Sequence, residues 1–227
     1  MPRSALARPV LAVDVVLFRL QGAELAVLLY RREAEPFSGA WALPGVALRA
    51  DETLLAAARR ALEEKGGLVP ATVESLHLEQ LATFDAVFRD PRGRTVSVAH
   101  VGLMPPGAQG GASVWRPVSR VDAGSLPFDH ATVLDVALTR LRGKLRYTNI
   151  AARLLPEAFR IDELQMVYEA VLGRRLNRAN FRTKLLRIGL IERAGVLADA
   201  VGAKGGRPPH LYRFAAEQVE AKDRDFL

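Results

Sequence analysis

Between Trp41 and Leu68 the chain reads WALPGVALRADETLLAAARRALEEKGGL, and acids and bases crowd its second half. Arg59, Arg60, Glu63 and Glu64 fall within one or two turns of a helical pattern, and Glu52 stands just ahead of it. Carboxylates three or four residues apart on a helix share a face. A face of that kind can hold Mg²⁺ beside a substrate phosphate, because the ion asks for clustered oxygen donors. An ordinary surface helix offers a plainer account, since Glu, Lys and then Gly is a common helix ending. WALPG at a fixed distance upstream favours the chemical reading.

The stretch resembles the Nudix box, in which Gly, five residues, Glu, seven residues and then Arg-Glu-apolar-x-Glu-Glu-x-Gly-apolar form a loop, a helix and a loop. Arg60, Leu62, Glu64, Gly67 and Leu68 fall on the pattern, Glu52 sits at the required distance, and the first Gly position is Val46. The resemblance implies metal carboxylates at positions that here read Ala61, Glu64 and Lys65. A slipped register uses Arg59, Glu63 and Glu64, with Arg60 in the first ligand place. It puts Ala61 at the apolar position and Gly67 at the final one, so the first register is preferred. Neither register restores the full set. The expectation is a cleft that binds a nucleotide-like ligand with hydrolysis lost or residual. No residue is assigned as catalytic, no cofactor is required, and Glu64 alone remains to hold Mg²⁺ weakly.

A second segment, TFDAVFRDPRGRTVSVAH from Thr83 to His100, is similar to one in ADP-ribose-type Nudix proteins and their regulator relatives. Guanidinium forks suit oxyanions, so Arg89 and Arg92 are candidates for phosphate contact. Asp-Pro and Arg-Gly are also good turn chemistry, and a basic hairpin tip would read the same way. The candidate effector-binding set is Arg31, Trp41, Glu52, Arg60, Glu64, Arg89, Arg92 and His130. For Trp41 a core position is at least as fitting as stacking on adenine, and a lone histidine such as His130 more often satisfies a local hydrogen bond.

The elements that must hold these residues follow from patterning. VDVVLF, ELAVLLYR and TVSVAHVGLM read as strands, with Gly22 in the turn between the first two. Residues 53–65 read as a helix, Pro105 to Ser113 as a loop, and ASVWRPVSRV as a late strand leading into a helix. LPFDHATVLDVALTRLRGKL reads as a linker helix over 129–143, with Asp129 as N-cap and Val133, Leu134, Ala137, Leu138 and Leu141 as its apolar stripe. The fold class is α+β. It comprises an N-terminal Nudix-like α/β/α sandwich over 1–143 and a C-terminal winged helix-turn-helix over 144–227.

Composition sets the outer limits. The 227 residues are 49% hydrophobic and 25% charged, an ordinary globular balance. No run reaches the length of a membrane span. The basic, then apolar, N-terminus is interrupted by Asp14 and Arg19 and reads as a first strand rather than a signal peptide. Cysteine is absent, which excludes disulfides and thiolate zinc sites, and the four histidines show no metal-ligand spacing. A cytoplasmic, nucleoid-associated bacterial protein is expected. The net charge of +7 is uneven. Residues 1–143 carry +1 and residues 144–227 carry +6, and within 174–213 ten Lys and Arg face two acids. A local basic excess of that kind is the footprint of a nucleic-acid contact.

In the C-terminal part YTNIAARLL reads as a first helix ended by Pro156, and IDELQMVYEAVLG as a second with Asp162 and Glu163 at its positive end. NRANFRTKLLRIGL is a third, with Asn177 as N-cap and Phe181, Leu185 and Ile188 as its inner stripe. LIERAG and HLYRF pair as strands around the loop VLADAVGAKGGRPP. This is the plan of a winged helix-turn-helix, whose third helix enters the major groove. A helical protein–protein module with a basic surface is the competing reading. The DNA-binding candidates are Asn177, Arg178, Asn180, Arg182, Lys184 and Arg187 on the helix, and Lys204 and Arg207 in the wing.

Together these segments resemble the Nudix-related transcriptional regulators of the NrtR family. The resemblance implies a dimeric repressor of NAD-metabolism or related genes, bound to a double-stranded operator and released by ADP-ribose or a related NAD metabolite. It implies no membrane partner. Two alternatives stand beside it: an active Nudix hydrolase working through Glu52, Glu63 and Glu64, and a repressor that answers to a sugar or other metabolite.

Overall fold

In a computed structural model of the chain the described residues are 8–108, 114–196 and 210–221. They divide into two compact units, one of residues up to 18 with 26–137, the other of residues 19–25 with those from 138 onward.

The first unit is built on β1 (Val10–Gln21), β2 (Glu24–Arg31), β3 (Trp41–Ala42), β4 (Gly45–Ala47), β5 (His77–Phe84), β6 (Thr95–Leu103) and β7 (Val114–Pro117), with α1 (Leu54–Glu64) and α2 (Pro70–Ser75) between β4 and β5. The main sheet order is β3-β2-β1-β6-β5, with β4 on β1 and β7 on β2. β1 and β6 run parallel, whereas β4 on β1, β3 and β7 on β2, and β5 on β6 are antiparallel. β1 is central, so residues on both its faces are apolar and buried, as a covered strand requires. Val13, Val15 and Leu17 on one face pack with Ala57, Ala58, Ala61 and Leu62 of α1. Val16 and Phe18 on the other face are equally buried.

α1 starts where Thr53 accepts a hydrogen bond from the Ala56 N–H, and Lys65 is its C-cap. Gly67 then turns with φ of 63°, a backbone state that suits glycine. The unpredicted α2 starts at Pro70, which lacks an N–H and fits a first helical turn. The late strand leads only into a 3₁₀ turn, Val118–Arg120. α3 (His130–Tyr147) carries the expected stripe, with Val133, Leu134, Ala137, Leu138 and Leu141 all buried.

The second unit holds β8 (Phe159–Arg160), α4 (Ile161–Leu172), α5 (Arg178–Arg187), β9 (Ile191–Val196) and β10 (His210–Phe214), in a sheet of order β8-β10-β9. The expected first helix, YTNIAARLL, is not an α-helix. Tyr147 belongs to α3, and only a 3₁₀ turn forms at Ile150–Leu154. The cause is Asn149, which is buried and tied to the tail. Its amide donates to the carbonyls of Ala216 (3.0 Å) and Gln218 (2.8 Å), and its oxygen accepts from the Glu220 N–H (2.7 Å). α4 ends at Gly173 in the left-handed conformation. α5 is capped by Asn177, whose side chain accepts from the Asn180 N–H. Tyr168 of α4 meets Phe181 of α5 edge-on at 5.0 Å.

Candidate ligand cleft and DNA-binding helix

Beside β1, β3 and β4 the first unit opens a cleft of about 1300 Å³, and the C-terminal end of α1, residues 89–95, Phe128 and His130 complete its wall. Arg31, Trp41, Arg60, Glu64, Arg89, Arg92 and His130 all line it, while Glu52 is not on its wall. Glu52 stands behind Arg60, which grips it through Nε at 2.9 Å and through Nη2. Those bonds hold the Glu52 carboxyl well below its ordinary range, at about 2. Arg60 also reaches Glu64 at 3.3 Å, and Arg49 meets Glu64 from the other side at 3.2 Å. The one carboxylate at a metal-ligand position of the preferred register is therefore shared by two guanidinium groups.

That register agrees with the geometry. Glu64, Lys65 and Gly67 face the cleft, and Leu62 and Leu68 are buried in the core. Arg59 and Glu63, which the slipped register needs, are not on the cleft wall. Ala61 is wholly buried and packs against the sheet. Among the described residues no three His, Cys, Asp or Glu side chains are grouped as a metal site requires.

The two arginines of the RDPRGR turn have opposite fates. Arg89 is buried, donating to both oxygens of Asp129 (2.8 and 2.6 Å) and to Asp14 (3.2 Å). It is a buried cation that holds two acids, and both oxygens of Asp129, the residue just ahead of α3, accept from it. Arg92 leaves its side chain 60% exposed while pairing with the buried Asp90 at 2.7 Å. His130 is buried, and its Nδ1 accepts a hydrogen bond from the Leu43 N–H at 3.1 Å. Its Nε2 faces Asp14 Oδ1 at 3.7 Å.

Asp14 is the centre of this network and was legible in the sequence only as an interruption of an apolar run. Burial pushes its carboxyl upward, yet His130, Ser97 (2.6 Å) and Arg89 together prevail and hold it at about 2. Gly45 makes room for it, because a Cβ there would collide with Asp14 Oδ1. Sequence reasoning also missed Arg32 and Phe128. The Arg32 guanidinium lies 4.9 Å over the Phe128 ring and that of Arg92 lies 5.7 Å from it. The ring is thus an aromatic face set between two cations. Trp41 is half-buried, and Arg116 stands 4.6 Å over its ring.

In the second unit Arg178, Arg182 and Arg187 are exposed, and Lys184 is half-buried. Phe181 and Leu185 turn inward, and Ile188 is half-buried at the C-cap. None of the four cations forms an ion pair among the described residues. Asn177 and Asn180 are exposed at the start of α5, with the Asn177 side chain engaged as the cap. Lys204 and Arg207 lie outside the described residues.

A Nudix sandwich and a winged helix in one chain define a class, the Nudix-related regulators. The sequence matches the NUDIX domain over residues 8–135 and the NrtR DNA-binding winged helix domain over residues 151–214. The chain belongs to the NrtR family. It is 35% identical over 220 residues to the ADPR responsive transcriptional repressor NtrR of Acinetobacter baylyi, covering 93% of this chain and 84% of the relative. It is similar to Shewanella oneidensis NrtR solved with a 27mer DNA, with a TM-score of 0.72 and 32% identity over 90% of this chain and 93% of the other. The NUDIX domain of that protein, solved with ADP ribose, matches with a TM-score of 0.52 and 35% identity over 62% of this chain and 93% of the other.

Proposed function

We propose that this chain is a transcriptional repressor, dimeric and cytoplasmic, whose winged helix holds an operator. In this reading its Nudix cleft takes ADP-ribose or a related NAD metabolite as effector and leaves it uncut. The observation that carries the reading is the ion pairing around Glu64. A cleft rich in arginine suits a diphosphate. A carboxylate held by Arg49 and Arg60 is a poor start for metal-assisted hydrolysis. The exposed Arg178, Arg182 and Arg187 on α5, without an ion pair among the described residues, suit the opposite partner, a phosphate backbone and base edges. None of the described helices is long and apolar enough to cross a membrane.

The ligand acts through linkage. It releases DNA only to the extent that it binds the free protein more tightly than the DNA-bound one. The test is fluorescence anisotropy with DNA from upstream of the protein's own gene neighbourhood, titrated with ADP-ribose while turnover is followed. Loss of the complex at micromolar ligand with the ligand intact supports the reading. Tight DNA binding untouched by ADP-ribose moves the search to sugars and other metabolites. Metal-dependent cleavage at ordinary enzymatic rates, abolished in Glu64→Gln, would establish a hydrolase instead.

A further inference from the structure

The Nudix resemblance implies a divalent ion at the end of α1, and the side chains there do not suit one. Mg²⁺ needs several oxygen donors in octahedral array. At the three box positions stand a buried alanine, a glutamate held by two arginines, and Lys65. Lys65 lines the cleft, and its ammonium lies 5.9 Å from the centroid of the Tyr30 ring. It has no carboxylate partner among the described residues. An ion placed here would have to compete with two guanidinium groups for Glu64 and then sit beside the Lys65 ammonium.

We infer that Lys65, flanked by Arg49 and Arg60, takes the place of the divalent ion, so that the cleft holds a diphosphate without metal. A lysine near a helix C-terminus is ordinary company for the helix dipole. That alone would account for an exposed ammonium. It does not account for its position on the cleft wall over Tyr30, at the box's own ligand position. An ammonium is a compact point charge that meets phosphate oxygens through rotatable donors. Unlike a divalent ion, it has no open coordination site on which to activate a water. The substitution thus keeps the affinity for a diphosphate and gives up the nucleophile. The inference rests on the part of the proposed function that makes the cleft a diphosphate site, and not on ADP-ribose as the ligand.

The test is calorimetry on the full chain with ADP-ribose and, separately, inorganic pyrophosphate, each in EDTA and in millimolar Mg²⁺. The expected result is one affinity in both buffers, weakened about tenfold in Lys65→Ala, the worth of one charged hydrogen bond. Lys65→Arg keeps most of it. Lys65→Glu restores a second acid, and it should gain Mn²⁺ binding, read directly by the ion's paramagnetic signal, that the natural protein lacks. Wild-type affinity that collapses in EDTA, or Lys65→Ala binding unchanged, overturns the inference while leaving the effector reading in place. Metal-indifferent pyrophosphate binding without ADP-ribose binding overturns the effector reading and leaves the inference standing. If neither ligand binds in either buffer, both fall.

Discussion

Replacing Arg89 with methionine keeps the length of the side chain and removes its charge. Asp14 and Asp129 are then left facing each other's neighbourhood with no guanidinium between them. The three carboxylate contacts at 2.6, 2.8 and 3.2 Å all vanish. Arg89 is 4% exposed, Asp14 9% and Asp129 18% at the side-chain level, so water does little to replace the lost cation. Breaking a buried pair from one side costs about 3–5 kcal/mol. The hydrogen bonds are part of that figure and do not add to it. A loss of ~4 kcal/mol in a chain of this size lowers the melting temperature by about 10 °C. Trp41 and Trp115 are the only two tryptophans, and both lie in the first unit, so their fluorescence follows that unit through a urea titration. The gap between Arg89→Met and the natural protein should narrow as the pH falls toward 4, because protonation relieves the stranded carboxylates. Arg49→Met is the control, because its side chain and that of its partner Glu64 are 59% and 43% exposed, and it should cost under about 1 kcal/mol. An Arg89→Met penalty as small as that of the control, and indifferent to pH, would refute the account of Arg89 as a buried cation holding two acids.

Asp14 makes its own prediction. Its carboxyl is held at about 2 against an ordinary 3.8, a gap worth about 2.5 kcal/mol at ~1.4 kcal/mol per pH unit. The group is depressed, so this stability is fully present above pH 3.8 and is lost as the pH falls through 3.8 toward 2. Acid titration of the tryptophan signal should show that slope in the natural protein and a flatter one in Asp14→Asn. Arg178→Ala and Arg182→Ala should each weaken operator binding by about 1–3 kcal/mol where they read a base edge. Where they meet phosphate, they should instead reduce the salt dependence by about one ion. Unchanged affinity and salt slope in both would remove α5 as the reading helix. The Tyr168 hydroxyl is buried with no protein partner among the described residues, and burial pushes its pKa up. Tyr168→Phe should therefore stabilise the second unit by about 1 kcal/mol in chemical denaturation. A loss of similar size would show that the hydroxyl is bonded.

The parts of this fold that local chemistry decides were legible in the chain. β2 coincides with ELAVLLYR, α4 stops at the expected glycine, and α5 begins at its asparagine cap. Each is fixed by patterning or by a cap within a few residues. β5 escaped notice because HLEQLATF is half-buried along most of its length and shows no clean alternation. The first helix of the second unit was misjudged because its fate lies in the tail, where Ala216, Gln218 and Glu220 claim Asn149. The cleft divides in the same way. That Arg60, Glu64 and Arg92 face it could be read from the box and the turn. That Arg89 does structural work could not, because Asp14 and Asp129 lie far from it in sequence and only the strand order brings them together.

Gly45 and Asp14 occupy one volume between them, on strands paired through the register of β1 with β4. The glycine that marks WALPG is thus the imprint of a carboxylate on another strand. The two positions should change together across relatives. Where the aspartate gives way to a smaller residue, the glycine is free to become alanine. Where the aspartate persists, selection should hold the glycine even in chains that have lost every acid of the box. The most recognisable letters of the motif would then outlive the chemistry for which it is named.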